Sequence, residues 1–304
     1  MKSSDYLAPL LGNETFKRDA AALLDSPRPP QGLLLLAPDG CGRNFAAELL
    51  AAAYLRDEAG LAARGAHPDF ISVSGEGASG QIPVKAVRAA AFELSLSAVM
   101  AEGRRCCLIR DAFMLNASSS AALLKTLEEP PEGVMFILTA RSKSELLPTV
   151  CSRLACLSLL PAGGAEVKKA LRARYSALRP SELEEIALLS AGRVGVAFKL
   201  ASSEEERALA LAASDICRLS LKGQRLAVMS ALDAYKSRAQ LGSVFSYLLL
   251  RLAGELERNP RAAEALSLVH EAALEALRGL GKNINQKLLC TRFALRCGEN
   301  GSLK

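Results

Sequence analysis

The sequence predicts an α/β domain followed by an all-α region. Apolar runs of strand length alternate with Ala- and Leu-rich helical segments as far as about residue 160, which is the pattern of a parallel sheet covered by helices on both faces. Beyond Pro161 no further strand-like run appears, and the segments have helical periodicity. A chain of 304 residues, half of them apolar, is long enough for two or three packed domains.

Each predicted element rests on a local pattern. The run Gly32–Leu36 is apolar at every position after its glycine and stops at a loop, as a strand buried on both faces does. Four further strands are predicted over 70–73, 105–109, 134–139 and 153–159, with helices over 45–55, 83–96 and 118–127 between them. After residue 160 we predict a small helical domain, 161–202, with a break at 192–195. A helical bundle, 203–304, then has breaks near Gly223, 259–260 and 279–283. The predicted division is therefore 1–160, 161–202 and 203–304.

Charge and cysteine content exclude several classes of protein. The net charge of +6 is scattered along the chain, which is compatible with DNA nearby but does not form a basic patch. No apolar stretch approaches the roughly 18 residues of a membrane span, and the N-terminal segment leads into no signal-like run. Eight cysteines without metal spacing and two histidines indicate reduced thiols in the cytoplasm and no metal site.

A loop between the first strand and the next helix has the context of a phosphate-binding loop. Measured against G-x-x-x-x-G-K-[ST], only Gly42 matches strictly, because Ala37 stands at the first glycine. Arg43 replaces the lysine and Asn44 replaces the hydroxyl that ligates Mg²⁺. Gly40, Gly42, Arg43 and Asn44 are thus candidate nucleotide-binding residues of a degenerate loop. We expect no hydrolysis there and leave residual nucleotide binding open.

The acidic element that would hold Mg²⁺ is altered as well. In an active P-loop ATPase an apolar strand ends in a metal-ligating Asp, whereas here the strand 105–109 is followed by Arg110. A cation at that position would repel the metal. Asp111 comes one residue later and is interpreted as a surface or loop carboxylate, the alternative being a metal ligand displaced by one place. Two separate changes therefore weaken the same activity.

Several motifs together resemble the AAA+ subunits of the bacterial replicative clamp loader, and within them the delta-prime group. The resemblance covers about residues 11–295. Its most specific parts are Leu-Leu-Lys-Thr-Leu-Glu-Glu-Pro-Pro at 123–131, Phe-Ile-Leu-Thr at 136–139 and Leu-Pro-Thr-Val-Cys-Ser-Arg at 147–153. The segments His-Pro-Asp-Phe at 67–70, Ile-Pro-Val-Lys-Ala-Val-Arg at 82–88 and Lys-Asn-Ile-Asn-Gln-Lys-Leu at 282–288 fit the same family.

The resemblance implies a three-domain subunit: a RecA-like AAA+ parallel-sheet domain, a small helical lid and a C-terminal helical collar. It implies a hetero-pentameric ring with gamma/tau and delta subunits, and contact with the sliding clamp and primer-template DNA through that complex. Delta-prime members are stators that do not hydrolyse ATP, although they belong to a DNA polymerase holoenzyme. The alternatives are an ATP-hydrolysing motor subunit of the same loader and an unrelated P-loop enzyme.

The resemblance also assigns Arg153, with its neighbour Ser152, to an arginine finger that acts in trans on the next subunit. The alternative is an arginine that caps a loop or pairs with a local carboxylate. Lys125, Glu128 and Glu129 are interpreted either as part of a subunit-interface helix or as a solvated helix end.

Three positions depart from the family pattern. Leu154 follows the Ser-Arg pair where relatives have cysteine, a change expected to affect packing only. Residues 51–66 contain no cysteine, so no structural zinc is predicted. Gly195 stands where active members have an ATP-contacting arginine, and Arg193 is interpreted as a surface residue.

Overall fold

The computed structural model describes residues 1–77, 80–100, 102–258, 263–282 and 284–297. The chain divides into two compact units. The first consists of Met1–Glu166 with Arg193–Gly195, and the second of Val167–Gly192 with Val196–Lys304. The finer division into 1–160, 161–202 and 203–304 stays a prediction.

A five-stranded parallel sheet forms the centre of the first unit. The strands are β1 (Gly32–Leu36), β2 (Phe70–Val73), β3 (Arg105–Ile109), β4 (Val134–Ala140) and β5 (Ala155–Ser158), in the order β2-β3-β4-β1-β5. Every residue of β3 and β4 is buried because helices cover both faces of the sheet. Since all five strands are parallel, the loops that follow them meet at one edge.

Two apolar cores flank this sheet. Around one face pack α1 (Ser3–Leu7), α2 (Glu14–Leu24) and α3 (Arg43–Leu55). Around the other pack α4 (Val84–Ser95), α5 (Ala117–Glu128) and α6 (Pro148–Cys151), with 3-10 turns at Ala112–Met114 and Lys143–Glu145.

The fifth strand begins two residues later than its apolar pattern predicts. The backbone N–H groups of Arg153 and Leu154 donate to Val150 and Cys151, at 3.2 and 3.4 Å. Ser152 and Arg153 therefore belong to the turn that follows α6, not to β5.

From residue 164 the described chain is helical. The helices are α7 (Gly164–Arg174), α8 (Pro180–Ser190), α9 (Val194–Ser202), α10 (Glu204–Leu221), α11 (Arg225–Asp233), α12 (Arg238–Arg258), α13 (Ala263–Gly281) and α14 (Gln286–Cys297). The predicted break near Gly223 separates α10 from α11, whereas 259–260 and 283 lie outside the described residues.

The break predicted at 192–195 is shorter than expected. Ala191 and Gly192 adopt left-handed backbone conformations, with φ values of 47° and 76°, and α9 has already begun at Val194. Gly195 is therefore a residue of the first turn of α9.

In the helical unit, the rings of Phe245 and Phe293 pack edge to face at 5.2 Å. Leu248 and Leu289 are buried, but Leu288 is exposed. Within the described ranges no helix is both long and apolar enough to cross a bilayer.

Candidate functional site

The candidate phosphate loop runs from the end of β1 to the start of α3. Gly40 and Gly42 have φ values of 81° and 85°, a left-handed conformation that glycine adopts without steric cost. A side chain at Gly42 would meet no atom within 4 Å, so the backbone conformation alone calls for glycine there. Because Gly42 is the N-cap, α3 begins at Arg43, two residues before the start predicted from hydrophobic periodicity.

Arg43 is turned back into its own loop. Only 9% of its side-chain surface is exposed. Its Nη1 donates to the carbonyl of Ala37 at 2.6 Å, and its Nη2 lies 3.2 Å from Oδ1 of Asp39 and 2.5 Å from Oδ1 of Asp111. The charge is thus balanced by two carboxylates of the same chain, where a phosphate loop would turn its cation toward a nucleotide.

The acidic element after β3 is also internally paired. The backbone N–H of Asp111, whose φ is 50°, donates to Oγ1 of Thr139 at 2.8 Å. Arg110 points elsewhere and pairs with Glu48 on α3 at 2.8 Å. In the described part of the chain, no cluster of three or more His, Cys, Asp or Glu side chains is arranged to hold a metal ion.

Two of the residues 193–195 are hydrogen-bonded to this loop. The N–H of Gly195 donates to the carbonyl of Gly40 at 2.8 Å, and Nη1 of Arg193 donates to the carbonyl of Asp39 at 3.2 Å. A Cβ at position 195 would lie only 3.0 Å from the carbonyl oxygen of Gly40, so an arginine there would require the loop to move. Arg193, which the sequence places at the surface, is half-buried and donates to the loop, a contact that the sequence did not indicate.

Two side chains of the loop have surroundings that the sequence did not indicate. Burial raises the pKa of the Cys41 thiol, although Arg193 and Arg43 oppose that shift, so the thiol stays protonated at neutral pH. Oδ1 of Asn44 is buried without a hydrogen-bond partner among the described atoms.

Arg153 has different surroundings. It follows α6, which begins at Pro148, and its Nη1 donates to the carbonyl of Thr149 at 2.8 Å. Its Nη2 lies 2.6 Å from Oε1 of Glu128 at the end of α5. A third of its side-chain surface, 34%, remains exposed. The hydroxyl of Ser152 donates to the same Thr149 carbonyl at 3.1 Å. Both contacts expected for a local structural role are present, and the guanidinium still faces solvent.

Topology separates Arg153 from the loop of its own chain. Arg153 precedes β5, whose first residue, Ala155, pairs with Leu33 at the start of β1. The loop begins after Leu36 at the other end of that strand. A strand of this length spans about 15 Å. The arginine and the loop therefore lie at opposite ends of the parallel strands, about one strand length apart.

Leu154 anchors the backbone beside Arg153. It is buried, and a Cβ at Gly32 would approach its Cδ2 to 2.4 Å. Gly32 thus leaves space that the leucine fills, in accordance with a packing role for this departure from the family motif.

The buried pair of Asp69 and Arg105 was not predicted as a site feature. The Asp69 carboxylate accepts from the backbone N–H groups of Val99 and Met100 at 2.9 and 2.8 Å, and lies 3.5 Å from Nε of Arg105. The pair holds the segment between α4 and β3. An arginine at the start of an otherwise apolar strand was the one sequence signal that could have revealed it.

Comparison with known proteins gives consistent results. The family model described as "DNA polymerase III, delta subunit" matches residues 12–162. DNA polymerase III subunit delta' of Pseudomonas aeruginosa is 33% identical over 175 residues, which is 52% of this chain and 52% of that protein. Delta' of Escherichia coli is 28% identical over 212 residues, 67% of this chain and 59% of that protein. DNA polymerase III subunit gamma/tau of Mycobacterium tuberculosis is 28% identical over 158 residues, covering 48% of this chain and 27% of that protein. The matched part spans between half and three fifths of the two delta' relatives.

Solved structures agree on the fold. A DNA polymerase III gamma subunit-related protein of Thermotoga maritima has a TM-score of 0.55 at 16% identity, covering 95% of this chain and all of that one. The RuvB Holliday junction branch migration motor of the same organism has a TM-score of 0.51 at 18% identity, covering 67% of this chain and 64% of that one. These likenesses support the predicted AAA+ α/β fold with a helical C-terminal part.

Proposed function

Because the chain belongs to the DNA polymerase III clamp-loader family that includes subunit delta', we propose that it is a non-hydrolysing stator of that complex. It helps to load the sliding clamp on primed DNA and supplies Arg153 to the ATP site of a neighbouring subunit. The observation that carries the proposal is the contrast between a loop whose cation is internally neutralised and an exposed arginine at the opposite edge of the sheet.

The bonds within the loop support the proposed lack of hydrolysis. The guanidinium of Arg43 donates to Ala37, Asp39 and Asp111, so phosphate binding there would first require these bonds to break. Asp111, the carboxylate nearest to the usual metal-ligand position, is bonded to the same guanidinium. The guanidinium of Arg43 is therefore not available to the phosphates of a nucleotide, and the carboxylate of Asp111 is not available to Mg²⁺.

The chemistry of arginine and the position of Arg153 support the proposed finger role. A guanidinium presents a planar fork of donors that matches the charge on a transferring phosphoryl group. Arg153 is partly exposed and lies at the far edge of the sheet from its own loop. Supplying such a group from one subunit to the next couples hydrolysis to assembly.

The same proposal places gamma/tau and delta subunits beside this chain in a hetero-pentameric ring. The clamp and the primer-template DNA are reached through the complex, and a replication role of this kind belongs in the cytoplasm. The end of α5, with Lys125 and Glu128, then lies toward the neighbour that receives Arg153.

The decisive experiment is ATP turnover by the assembled loader with Arg153→Ala. We expect turnover at the neighbouring site to fall by about 10³-fold, with assembly unchanged on size-exclusion chromatography. Arg18→Ala is the matched control, because Arg18 is an exposed arginine on α2 with a carboxylate partner. Unchanged turnover in a complex that contains the Arg153 variant would refute the finger.

The stator role is tested on the isolated chain. Calorimetric titration with ATP and Mg²⁺, with a hydrolysis assay on the same sample, should give no turnover. Mg²⁺-dependent turnover would instead identify a motor subunit.

A further inference from the structure

The end of α5 is positioned by the two prolines that follow it. Proline disfavours helical conformation in the residue before it, and Glu129, which precedes Pro130, has left the helix with φ −131° and ψ 67°. Glu128 is therefore the last residue of α5. Its Oε1 lies 2.6 Å from Nη2 of Arg153, which is 25 residues further along the chain.

The backbone of Arg153 is held independently of that contact. The N–H of Arg153 donates to Val150 at 3.2 Å, and the adjacent Leu154 is buried against Gly32. The backbone bonds do not determine the orientation of the long side chain. That orientation is fixed by two contacts, one to the carbonyl of Thr149 and one to Glu128.

These two contacts leave the arginine competent to bind a phosphate. A guanidinium has five N–H donors, and the contacts to Thr149 and Glu128 use one on each Nη. The side chain still exposes 34% of its surface. Ion pairs as exposed as this one, in which Glu128 is 53% exposed, add little to folding stability. The orientation of the guanidinium is the larger consequence of the contact.

We propose that Glu128 is a positioning residue for Arg153, which holds the guanidinium in the direction required by the neighbouring ATP site. The inference rests on the proposed finger role. Holding a charged group in place before the reaction removes the cost of orienting it in the transition state. Glu128 acts through Arg153 and does not touch the nucleotide.

The test is steady-state ATP turnover by the assembled loader with Glu128→Ala. We expect kcat to fall by about 10-fold to 100-fold, with KM for ATP unchanged because ground-state binding does not involve Glu128. Glu128→Gln keeps an oxygen that accepts from Nη2 and should recover part of the loss. Glu132→Ala, which removes an exposed carboxylate from the loop after α5, should leave turnover unchanged.

A double variant separates positioning from an independent effect. In the Arg153→Ala background, Glu128→Ala should reduce kcat no further, since the group that it orients is gone. An additional loss of the same size would overturn the proposal, as would unchanged turnover with Glu128→Ala alone.

If Arg153→Ala lowers kcat but Glu128→Ala does not, the finger role of Arg153 is supported and the positioning role of Glu128 fails. If Arg153→Ala has no effect, both fail. Size-exclusion profiles and thermal melts of each variant confirm that the complexes compared are folded and complete.

Discussion

Arg43 and Arg153 lie at opposite edges of one parallel sheet and have opposite surroundings. Arg43 is 9% exposed and faces two carboxylates and a carbonyl oxygen. Arg153 is 34% exposed and faces one carboxylate and one carbonyl oxygen. The comparison teaches that a cation in a phosphate-loop sequence can serve as an internal counter-ion, while an arginine in a turn stays accessible to another molecule.

The strongest test of this contrast on the chain itself is Asp111→Asn. Asparagine tolerates the left-handed backbone at this position, so the change removes charge and little else. Arg43 would remain buried with Asp39 as its carboxylate partner. We expect the free energy of unfolding to fall by about 2 kcal/mol, below the value for a fully buried pair because Asp111 is 37% exposed.

Urea denaturation of the isolated chain measures this loss. The comparison variant is Glu128→Ala, which breaks an exposed pair and should cost less than about 1 kcal/mol. Equal losses for the two variants would mean that burial does not distinguish the two arginines.

The stability of the sheet between the two arginines should depend on alkaline pH, because β3 carries two buried thiols. Burial raises the pKa of the Cys107 thiol from its ordinary value of 9.0 to about 12, and burial also raises the pKa of Cys106. The unfolded chain loses these protons from about pH 9, whereas the folded chain keeps them. Stability is therefore complete below pH 9 and falls between about pH 9 and pH 12. At pH 10 the loss is about 1.4 kcal/mol for the Cys107 thiol, and Cys106 adds to it in the same direction.

Urea midpoints measured from pH 7 to pH 10.5 would show this decline. Cys107→Ala lowers stability at every pH through the lost packing, but it should make the decline less steep. Tyr54 contributes in the same direction because burial raises its pKa as well. A slope that is identical in the parent and Cys107→Ala chains would contradict a role for the thiol.

The smallest expected effect is that of Arg43→Met. Removing one partner of a fully buried ion pair is costly because the other charge stays buried and unpaired. Here the partners left behind, Asp39 and Asp111, are 61% and 37% exposed and can be solvated by water, while the desolvation cost of the buried guanidinium disappears. We expect the free energy of unfolding to change by less than about 1 kcal/mol in either direction. In a double-mutant cycle, Asp111→Asn should have little further effect in the Arg43→Met background. A loss as large as that of Asp111→Asn would show that Arg43 stabilises the loop by more than neutralisation.

Hydrophobic patterning predicted the three central strands, β1, β3 and β4, because they are buried on both faces along almost all of their length and are therefore mostly apolar. The two outer strands, β2 and β5, are only partly buried, and their apolar runs were still long enough to predict them. Element ends were less predictable. The start of α3 depends on the left-handed Gly42, and the start of β5 depends on the turn bonds of Arg153 and Leu154. These backbone features involve only a few neighbouring residues, so they leave no periodic pattern of apolar residues in the sequence.

The sequence singles out candidate site residues but does not indicate which side chains they contact. The loss of the lysine and hydroxyl at Arg43 and Asn44 is visible in the sequence, and so is the Ser-Arg motif that ends in Arg153. That Arg193 bonds to the loop was not visible, because the turn at Ala191 and Gly192 determines where its side chain lies.

The sequence by itself determined the fold class, the departures of the loop from the phosphate-loop pattern, and the resemblance to clamp-loader subunits. Only the tertiary structure decided which carboxylate neutralises which arginine. Asp111 is 68 residues from Arg43, and Glu128 is 25 residues from Arg153. The order of the strands explains where both ion pairs form. The β3-β4-β1 arrangement brings the end of β3 to the edge that holds the loop, and β5 beside β1 leaves Arg153 at the other edge. Charges pair where the backbone brings them together, and the backbone path is set by apolar burial and not by the charges themselves.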